Sequence, residues 1–449
     1  MTDSRTHFAI DIGSSSIKAA VVAVEDGTWL STRRWPTPAP HPDRPLGRHE
    51  THAQSIVAAV SDSIDEVCDR FPGVSAIGFS TQMHGVVLTD QQNRAISPFI
   101  SWQDDRANER FSGGGSLLED VRQQVPAAVL ARTGINPRAG LGAFNARRWL
   151  DENPARAGDV RRVHTLGSFI LASLAGVYTT HLTNAAALGV VDISLGRWDA
   201  ELIEWLGLDG LQFPEIRSDF TSVSSVTRST GHVAIFPDVG DHQASVYGSE
   251  RDDADSISIS LGTAGIAART AAEFVPSSRY EVRPYLDGRY LQTISRLPGG
   301  RHFDACTALF GTVGRDVFGI ENAKGRAREW LFDSFQGGSP VVGAAVTAFE
   351  DPNDDGAARL GISLPLGAEV DPSDVLNAVL GHFGVRYRQA AADLFDGRGP
   401  ARGSLNGGLA LSKKWLPDFF ATELSAQFAV TEGNDLALQG VLRLLREGS

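Results

Sequence analysis

Two short apolar runs open the chain, Phe8–Ile10 and Ile17–Val24, with Asp11-Ile12-Gly13-Ser14-Ser15-Ser16 between them. Aliphatic and β-branched residues on either side of a Gly/Ser stretch predict strand, tight turn, strand. From Ala53 to Phe71 apolar residues recur at Ile56, Val57, Val60, Ile64 and Val67, the spacing of a helix with one buried face. Val74–Phe79 reads as a buried strand. It runs into Ser80-Thr81-Gln82-Met83-His84-Gly85 and then a second strand, Val86–Thr89, with Asn93 suited to the turn after it. Pro98–Asp104 is a short apolar stretch ending in polar residues, and Gly113–Gly115 is a three-glycine loop. Leu117 to Gly176 reads mostly helical. Val233–Phe236 is strand-like, and Gly240–Gly248 opens a new helix.

The second half repeats the opening. Ser256–Leu261, Gly262-Thr263-Ala264-Gly265 and Ile266–Ala268 again predict strand, turn, strand. Gly13 falls on Gly262, Ser14 on Thr263 and Ile17 on Ile266, which suggests two related α/β domains that each open with a phosphate-sized turn. Charge and turn residues cluster at Ser249–Asp255, so the expected domains are residues 1–249 and 250–449. Glu350–Gly356 reads as an acidic surface loop and Pro372–Phe395 as a long helix. Leu405–Leu411 is a Gly-rich strand-to-helix turn followed by a helix at Trp415–Phe428.

Composition narrows the class. A chain of 449 residues suits two domains of about 200 residues each. With 42% hydrophobic and 21% charged residues it reads as a globular enzyme rather than a disordered chain. A net charge of −13 argues against broad binding to nucleic acid or an anionic membrane. Cys68 and Cys306 lie far apart without metal-ligand spacing, which points to a reducing, cytoplasmic setting. Met1–His7 is polar with no apolar signal core. No apolar run approaches the roughly 20 residues that a membrane helix needs.

The polar stretches carry the chemistry. Gly13 with Ser14 and Ser15 lets backbone N–H groups approach a phosphate closely, Asp11 can hold a divalent cation through water, and Lys18 follows two residues beyond the turn. This is not a Walker A loop, which runs from strand to helix. An ordinary Ser/Gly hairpin explains the turn alone equally well. Asp241 opens a helix, and taken alone it reads first as a helix N-cap. Phosphoryl transfer, however, needs a carboxylate near the attacking hydroxyl. Gln82, Met83 and His84 stand at a strand end, where open α/β sheets bind ligands. Trp102 can cover an apolar sugar face, Asp104 can accept from two hydroxyls, and Arg106 can pair with Asp104 or Asp105. The bland readings are core packing for Trp102 and a structural histidine for His84. In Asn406-Gly407-Gly408-Leu409-Ala410-Leu411-Ser412 two glycines would let an adenosine lie against backbone, although a plain tight turn fits as well.

Taken together and in order, these motifs resemble the FGGY family of carbohydrate kinases, of the actin-like (ribonuclease H-like) ATPase fold group. They run from Asp11–Lys18 through Ser80–Gly85, Trp102-Gln103-Asp104-Asp105-Arg106 and Gly240–Ser245 to Ser260–Thr263 and Asn406–Ser412. The resemblance implies two actin-like domains with a cleft between them. The first would bind the sugar and the second the nucleotide, with ATP and Mg²⁺ as cosubstrate and cofactor. It implies Asp241 as the catalytic base, and a sugar site lined by Met83, His84, Trp102 and Asp104, with Gln82 and His242 beside them. Gly13, Ser14, Ser15, Lys18, Gly262 and Thr263 would hold phosphates. Gly407, Gly408 and Leu411 would border the adenosine, and Asp11 would serve the metal.

Within the family, Gly240–Tyr247 and Trp102-Gln103-Asp104 after Gln82–Gly85 look most like sedoheptulokinases. Xylulokinases usually carry Asn where this chain has His242. Two departures stand out: Ser14 replaces the usual Thr, and the family's late Gly-Glu-Arg segment is not recognisable. The expected reaction is transfer of the γ-phosphate to a primary hydroxyl of a ketose by a monomer or homodimer. Rival expectations are a xylulose, ribulose or glycerol kinase, an actin- or chaperone-like ATPase, and a degenerate sugar sensor.

Overall fold

The computed structural model describes residues 5–111, 113–229, 231–249, 253–333, 346–352, 358–367, 369–431 and 435–448. The chain divides into two compact units. The first comprises Met1–Glu250, Ala271–Leu291 and Asn434–Ser449; the second comprises Arg251–Thr270 and Gln292–Gly433. The chain thus crosses the boundary read from the sequence and returns twice, because residues 271–291 and the C-terminal helix pack with the first unit.

The first unit is built on one six-stranded sheet. Its strands are β1 (Thr6–Ile12), β2 (Ser16–Ala23), β3 (Trp29–Pro36), β4 (Val74–Thr81), β5 (Ser224–Arg228) and β6 (Gly231–Gly240), in the order β5-β6-β4-β1-β2-β3. β1 pairs antiparallel with β2 but parallel with β4, and β4 pairs parallel with β6. β1 and most of β2 are buried along their length, so they read as continuous apolar runs rather than alternations. β3 sits at the sheet edge, half exposed and carrying Arg33 and Arg34, and its weak apolar pattern hid it from the sequence reading. Helix α1 (Ala53–Arg70) buries Ile56, Val57, Val60, Ile64 and Val67 in the same core as Phe8, Ile10, Phe79 and Phe169. Each such side chain contributes about 1.5–3 kcal/mol when removed from water. A second core, from Val86 through Phe144 and Trp149 to Leu208, supports the residues inserted between β4 and β5. Helix α2 (Asp241–Gly248) follows β6 directly, and the C-terminal helix α3 (Leu436–Glu447), also unpredicted, packs on α2 and against β1 and β4.

The second unit repeats the plan. Its strands β7 (Ser256–Leu261), β8 (Gly265–Ala271), β9 (Tyr290–Leu297), β10 (Arg402–Asn406) and β11 (Gln427–Val430) run in the order β9-β8-β7-β10-β11. As in the first unit, the opening hairpin is antiparallel and its first strand pairs parallel with the next. The long helix lies at Pro372–Leu394. Two readings need correction. Glu350–Pro352, expected in a loop, belong to the strand Thr347–Pro352, which pairs antiparallel with Ala358–Ser363; residues 353–356 lie outside the described ones. The helix expected at Trp415–Phe428 runs only from Leu416 to Leu424. Ser425 takes a left-handed conformation, φ 52°, that ends it and releases the chain into β11. Among the described residues no helix is long and apolar enough to cross a membrane.

Candidate active site

Parallel pairing in the first unit brings three strand ends level. Asp11 lies opposite Ser80, Ile12 opposite Thr81, and Thr81 opposite Gly240. The Gln82 N–H donates to the Ile12 carbonyl at 2.9 Å and continues this alignment past the strands. The carboxyl ends of β1, β4 and β6 therefore present Asp11, Gln82–His84 and Asp241 along one edge, the position at which open α/β sheets bind ligands.

Asp241 is the first residue of α2, and Gly240 occupies the N-cap. The N-cap reading of Asp241 is therefore set aside, because Asp241 lies inside the helix, one residue past the cap. Its Oδ1 accepts from the His242 N–H at 2.8 Å, and among the described residues nothing donates to Oδ2. Burial, and then the negative Asp11, push its carboxyl up to about 7. Ser80 Oγ donates to Asp11 Oδ1 at 2.7 Å, and Lys18 Nζ stands 3.5 Å from Oδ2. Lys18 also pairs with Asp435, the residue that caps α3 and one that the sequence reading passed over. Burial and then Asp435 push Asp11 up to about 6, against the opposing pull of Lys18 and Ser80. Burial disfavours the Lys18 ammonium, but the two aspartates outweigh it and its pKa is raised. Among the described residues no three His, Cys, Asp or Glu side chains form a cation cage. A hydrated Mg²⁺ needs only a carboxylate or two beside phosphate oxygens, and Asp11 fits that requirement.

The expected sugar residues divide. Gln82 is buried and its Oε1 has no hydrogen-bond partner, which leaves it a group in want of a ligand or water. Met83 adjoins the Asp241 strand end, since a Cβ at Gly240 would lie 2.9 Å from its Sδ. Trp102 is 45% exposed and can serve as a platform. Asp104 does not fit a direct sugar contact. It is wholly buried, its Oδ1 accepts Arg106 Nε at 2.7 Å and the Arg106 N–H at 3.1 Å, and its Oδ2 accepts Arg106 Nη2 and the His49 N–H, each at 2.8 Å. Its acceptor sites are spent on holding the Trp102 loop.

His84 takes a left-handed backbone, φ 68°, a strained state that a residue off a functional edge seldom keeps. Its Nδ1 donates to the Ala187 carbonyl at 2.8 Å and its Nε2 accepts from Arg138 Nη2 at 3.2 Å. Burial and then Arg138 hold its pKa well below the usual histidine value, so it is neutral. Arg138 Nε donates to Glu281 Oε1 at 3.1 Å, Arg283 Nη2 donates to Glu281 Oε2 at 2.6 Å, and Arg283 Nη1 lies 3.5 Å from His242 Nδ1. Burial would raise the Glu281 carboxyl, but Arg283 and Arg138 prevail and hold it at about 2. Burial and then Arg283 lower His242 to about 3. Arg138, Glu281 and Arg283 were missed in the sequence because they lie outside the motifs and Arg138 is far from the other two, and only the return of residues 271–291 to the first unit joins them to His84 and His242.

The second unit's turn is uncharged. Leu261 pairs with Gly265, whereas Ile12 pairs with Ile17, so this turn is one residue tighter than the first despite equal spacing in sequence. Gly262 and Thr263 are exposed, and their carbonyls accept the Gly300 and Arg301 N–H groups at 2.9 and 3.0 Å. Asn406 lies opposite Ser260 at the end of β10. Gly407 has φ 91°, and a Cβ there would sit 2.6 Å from the Leu261 carbonyl oxygen, so only glycine fits. Gly408 and Leu411 are exposed on the short helix that follows.

Known structures share this architecture. A xyloylose kinase from Brucella ovis superposes with a TM-score of 0.81 over 98% of this chain and 90% of its own, at 22% identity. The Plasmodium falciparum glycerol kinase with ADP superposes with a TM-score of 0.78 over 99% of this chain and 90% of its own, at 16% identity. The fold is thus the two-domain, actin-like ATPase fold. The model of the FGGY family of carbohydrate kinases, N-terminal domain, matches residues 6–240, more than half of the chain, and the chain belongs to this family. Relatives include a glycerol kinase of Thermococcus kodakarensis, 23% identical over 57% of this chain and 51% of its own length. A xylulose kinase of Lactococcus lactis is 24% identical over 58% of this chain and 52% of its own, and an apulose kinase of Pectobacterium atrosepticum is 27% identical over 57% and 52%. The chain spans about half the length of the curated relatives it matches.

Proposed function

We propose that the protein is an ATP-dependent sugar kinase that transfers the γ-phosphoryl group to a primary hydroxyl of a small ketose. The observation that carries the reading is Asp241. It is a carboxylate just past the end of β6, with one oxygen that nothing among the described residues engages and a pKa raised to about 7, and a second carboxylate, Asp11, stands in the strand that leads into the phosphate-sized turn. A general base works best when its pKa lies near the operating pH, and burial beside Asp11 supplies that shift. In the proposed reaction Asp241 Oδ2 accepts the hydroxyl proton as the new oxygen–phosphorus bond forms and the bond from the γ-phosphorus to the β–γ bridging oxygen breaks, releasing ADP. Gln82, Met83 and Trp102 position the sugar, His84 and His242 are held neutral beside it, and Arg138 and Arg283 keep that edge electropositive. Asp11 would hold a hydrated Mg²⁺, which when bound neutralises phosphate charge. Ser14, Ser15, Gly262 and Thr263 would meet phosphates, and Gly407, Gly408 and Leu411 the adenosine. Lys18, held by two aspartates, would steady Asp11 rather than grip a phosphate.

The sugar is assigned by resemblance alone. The Gly240–Tyr247 motif favours sedoheptulose, while relatives named for xylulose and glycerol keep those acceptors as alternatives. A cytoplasmic monomer or homodimer goes with this reading, and the buried cysteines Cys68 and Cys306, far apart in sequence, suit a reducing compartment. A panel of sedoheptulose, xylulose, ribulose and glycerol in an ADP-coupled assay tests it. We expect the highest kcat/KM for sedoheptulose. Turnover of glycerol alone would remove the ketose, and ATP hydrolysis stimulated by a polypeptide but by no sugar would remove the kinase.

A further inference from the structure

Two residues before Gly240 stands a carboxylate that the proposed reaction does not use. Asp238 is wholly buried in β6. Its Oδ2 accepts Asn184 Nδ2 at 2.7 Å and Thr180 Oγ1 at 3.2 Å, and its Oδ1 accepts the His181 N–H at 3.3 Å. Each named neighbour is a donor, so an acceptor-only side chain suits the position. Burial pushes the carboxyl up to about 7, against the pull of Asn184 and the other donors. The position has been cleared for it: helix Leu166–Ala175 presents Gly167, where a Cβ would come 2.1 Å from Asp238 Oδ2. A buried carboxylate is costly, so its retention at a strand end calls for a reason.

The neighbours supply the reason. Asn184 Nδ2 also donates to Thr81 Oγ1 at 3.0 Å, at the end of β4. Thr183 Oγ1 accepts the Gly240 N–H at 3.0 Å, at the end of β6. His181 Nδ1 lies 2.9 Å from Thr183 Oγ1. The segment Thr179–Ala186 thus clamps both strand ends, and Asp238 gathers that segment through three of its residues. β6 needs a clamp here. Ile235 pairs with Ile77 but Asp238 pairs with Phe79, so β6 carries one extra residue at Phe236-Pro237. A bulge of one residue shifts the register of the rest of β6 against β4, and so sets where Gly240 ends the strand and Asp241 begins α2.

We infer that Asp238 is a positioning residue that locks the bulged end of β6 to Thr179–Ala186 and thereby sets Thr81, Gly240 and Asp241 in register. The inference rests on Asp241 being the base. It places Asp238 outside contact with substrate.

The test is a donor–acceptor exchange, assayed at pH 8 with ATP and the preferred ketose, beside melting temperatures. Asp238→Asn sets an amide N–H against donors. We expect kcat to fall about 10- to 100-fold, the scale of an ångström-sized misplacement, with KM for ATP unchanged. Asp238→Asn combined with Asn184→Asp restores one acceptor facing one donor, and we expect kcat to return to within about threefold of the parent, since most of the loss was geometric. If Asp238→Asn does not fold, the double variant decides alone: folded and active supports the inference, folded and slow overturns it. Parent-like kcat in Asp238→Asn, or a folded exchange variant as slow as the single one, also overturns it. Asp241→Asn is run in parallel. If it keeps parental kcat, the base assignment fails; if it is inactive while Asp238→Asn is normal, only the positioning role fails.

Discussion

The two units set the same strand plan to different use. In both, a hairpin opens the sheet and its first strand pairs parallel with the next one. Yet Asp11 of the first hairpin has Ser260 at the matching place in the second, and the strand opposite offers Ser80 in one and Asn406 in the other. The first turn is backed by Lys18 between two aspartates; the second is backed by the glycines and first N–H groups of helix Gly300–Asp316. One unit spends stability on buried charge at its strand ends, and the other keeps only backbone and small polar groups. On the proposed reading the two units divide labour, with proton chemistry on the first and uncharged contacts for a nucleotide on the second.

The largest effect should come from the charged copy. Asp241→Asn should lower kcat about a thousandfold, within the range for a lost general base, while the Kd for ATP measured by calorimetry stays within twofold. Comparable losses in kcat and in nucleotide binding would break the division. Gly407→Ala should act through the other copy. The added Cβ meets the Leu261 carbonyl at φ 91°, so the second unit should lose roughly 1–3 kcal/mol in denaturant melts. KM for ATP should rise about tenfold, since lost contacts of that size cost a factor of ten per 1.4 kcal/mol, and KM for the sugar should hold. A rise in sugar KM alone would reverse the assignment.

The pH profile sharpens the point. The Asp241 carboxyl, raised to about 7, is protonated and useless as a base below that pH. kcat/KM should therefore fall about tenfold per pH unit on the acid side and level off above neutrality. A flat profile down to about pH 5 would place the base elsewhere. Trp102→Ala should raise sugar KM about two- to tenfold, the range for one exposed aromatic contact, without moving KM for ATP. The smallest effect concerns stability. Because the folded pKa of Asp241 is raised from 3.8 to about 7, the ionised form destabilises the fold, and the penalty builds between about pH 4 and pH 7 and is fully present above that. Asp241→Asn should consequently melt about 2–4 °C higher at pH 8, with the gain vanishing near pH 4. A lower melting temperature at pH 8 would mean that Asp241 is structural.

Much of this was legible in the chain. Continuous apolar runs around Gly13 and Gly262 marked both hairpins, and the period of Ile56, Val57, Val60, Ile64 and Val67 marked α1. Other parts were not. β3 is an exposed edge without a clear period. The Asp104 carboxylate looked like a sugar ligand until its burial against Arg106 and His49 was visible. Arg138 lies far in sequence from Glu281 and Arg283, and none of the three belongs to a motif. The second turn looked equal to the first, but strand register made it one residue tighter.

By itself the sequence determined the local elements and the residue types at their ends: two Gly-containing turns, Asp11, the Gln82–His84 edge and Asp241. These follow from short-range sterics and hydrophobic period, which act over a few residues. Only the tertiary structure decided which charges meet. It joined Lys18 to Asp435 and His84 to Arg138, returned Arg283 to His242, and placed Asp238 behind Thr81 and Gly240. It also turned Asp241 from an apparent cap into a carboxylate with one oxygen that no described residue engages. The reason is physical. A carboxylate's protonation and its partners depend on burial and on charges brought from distant parts of the chain, and neither is written in local spacing.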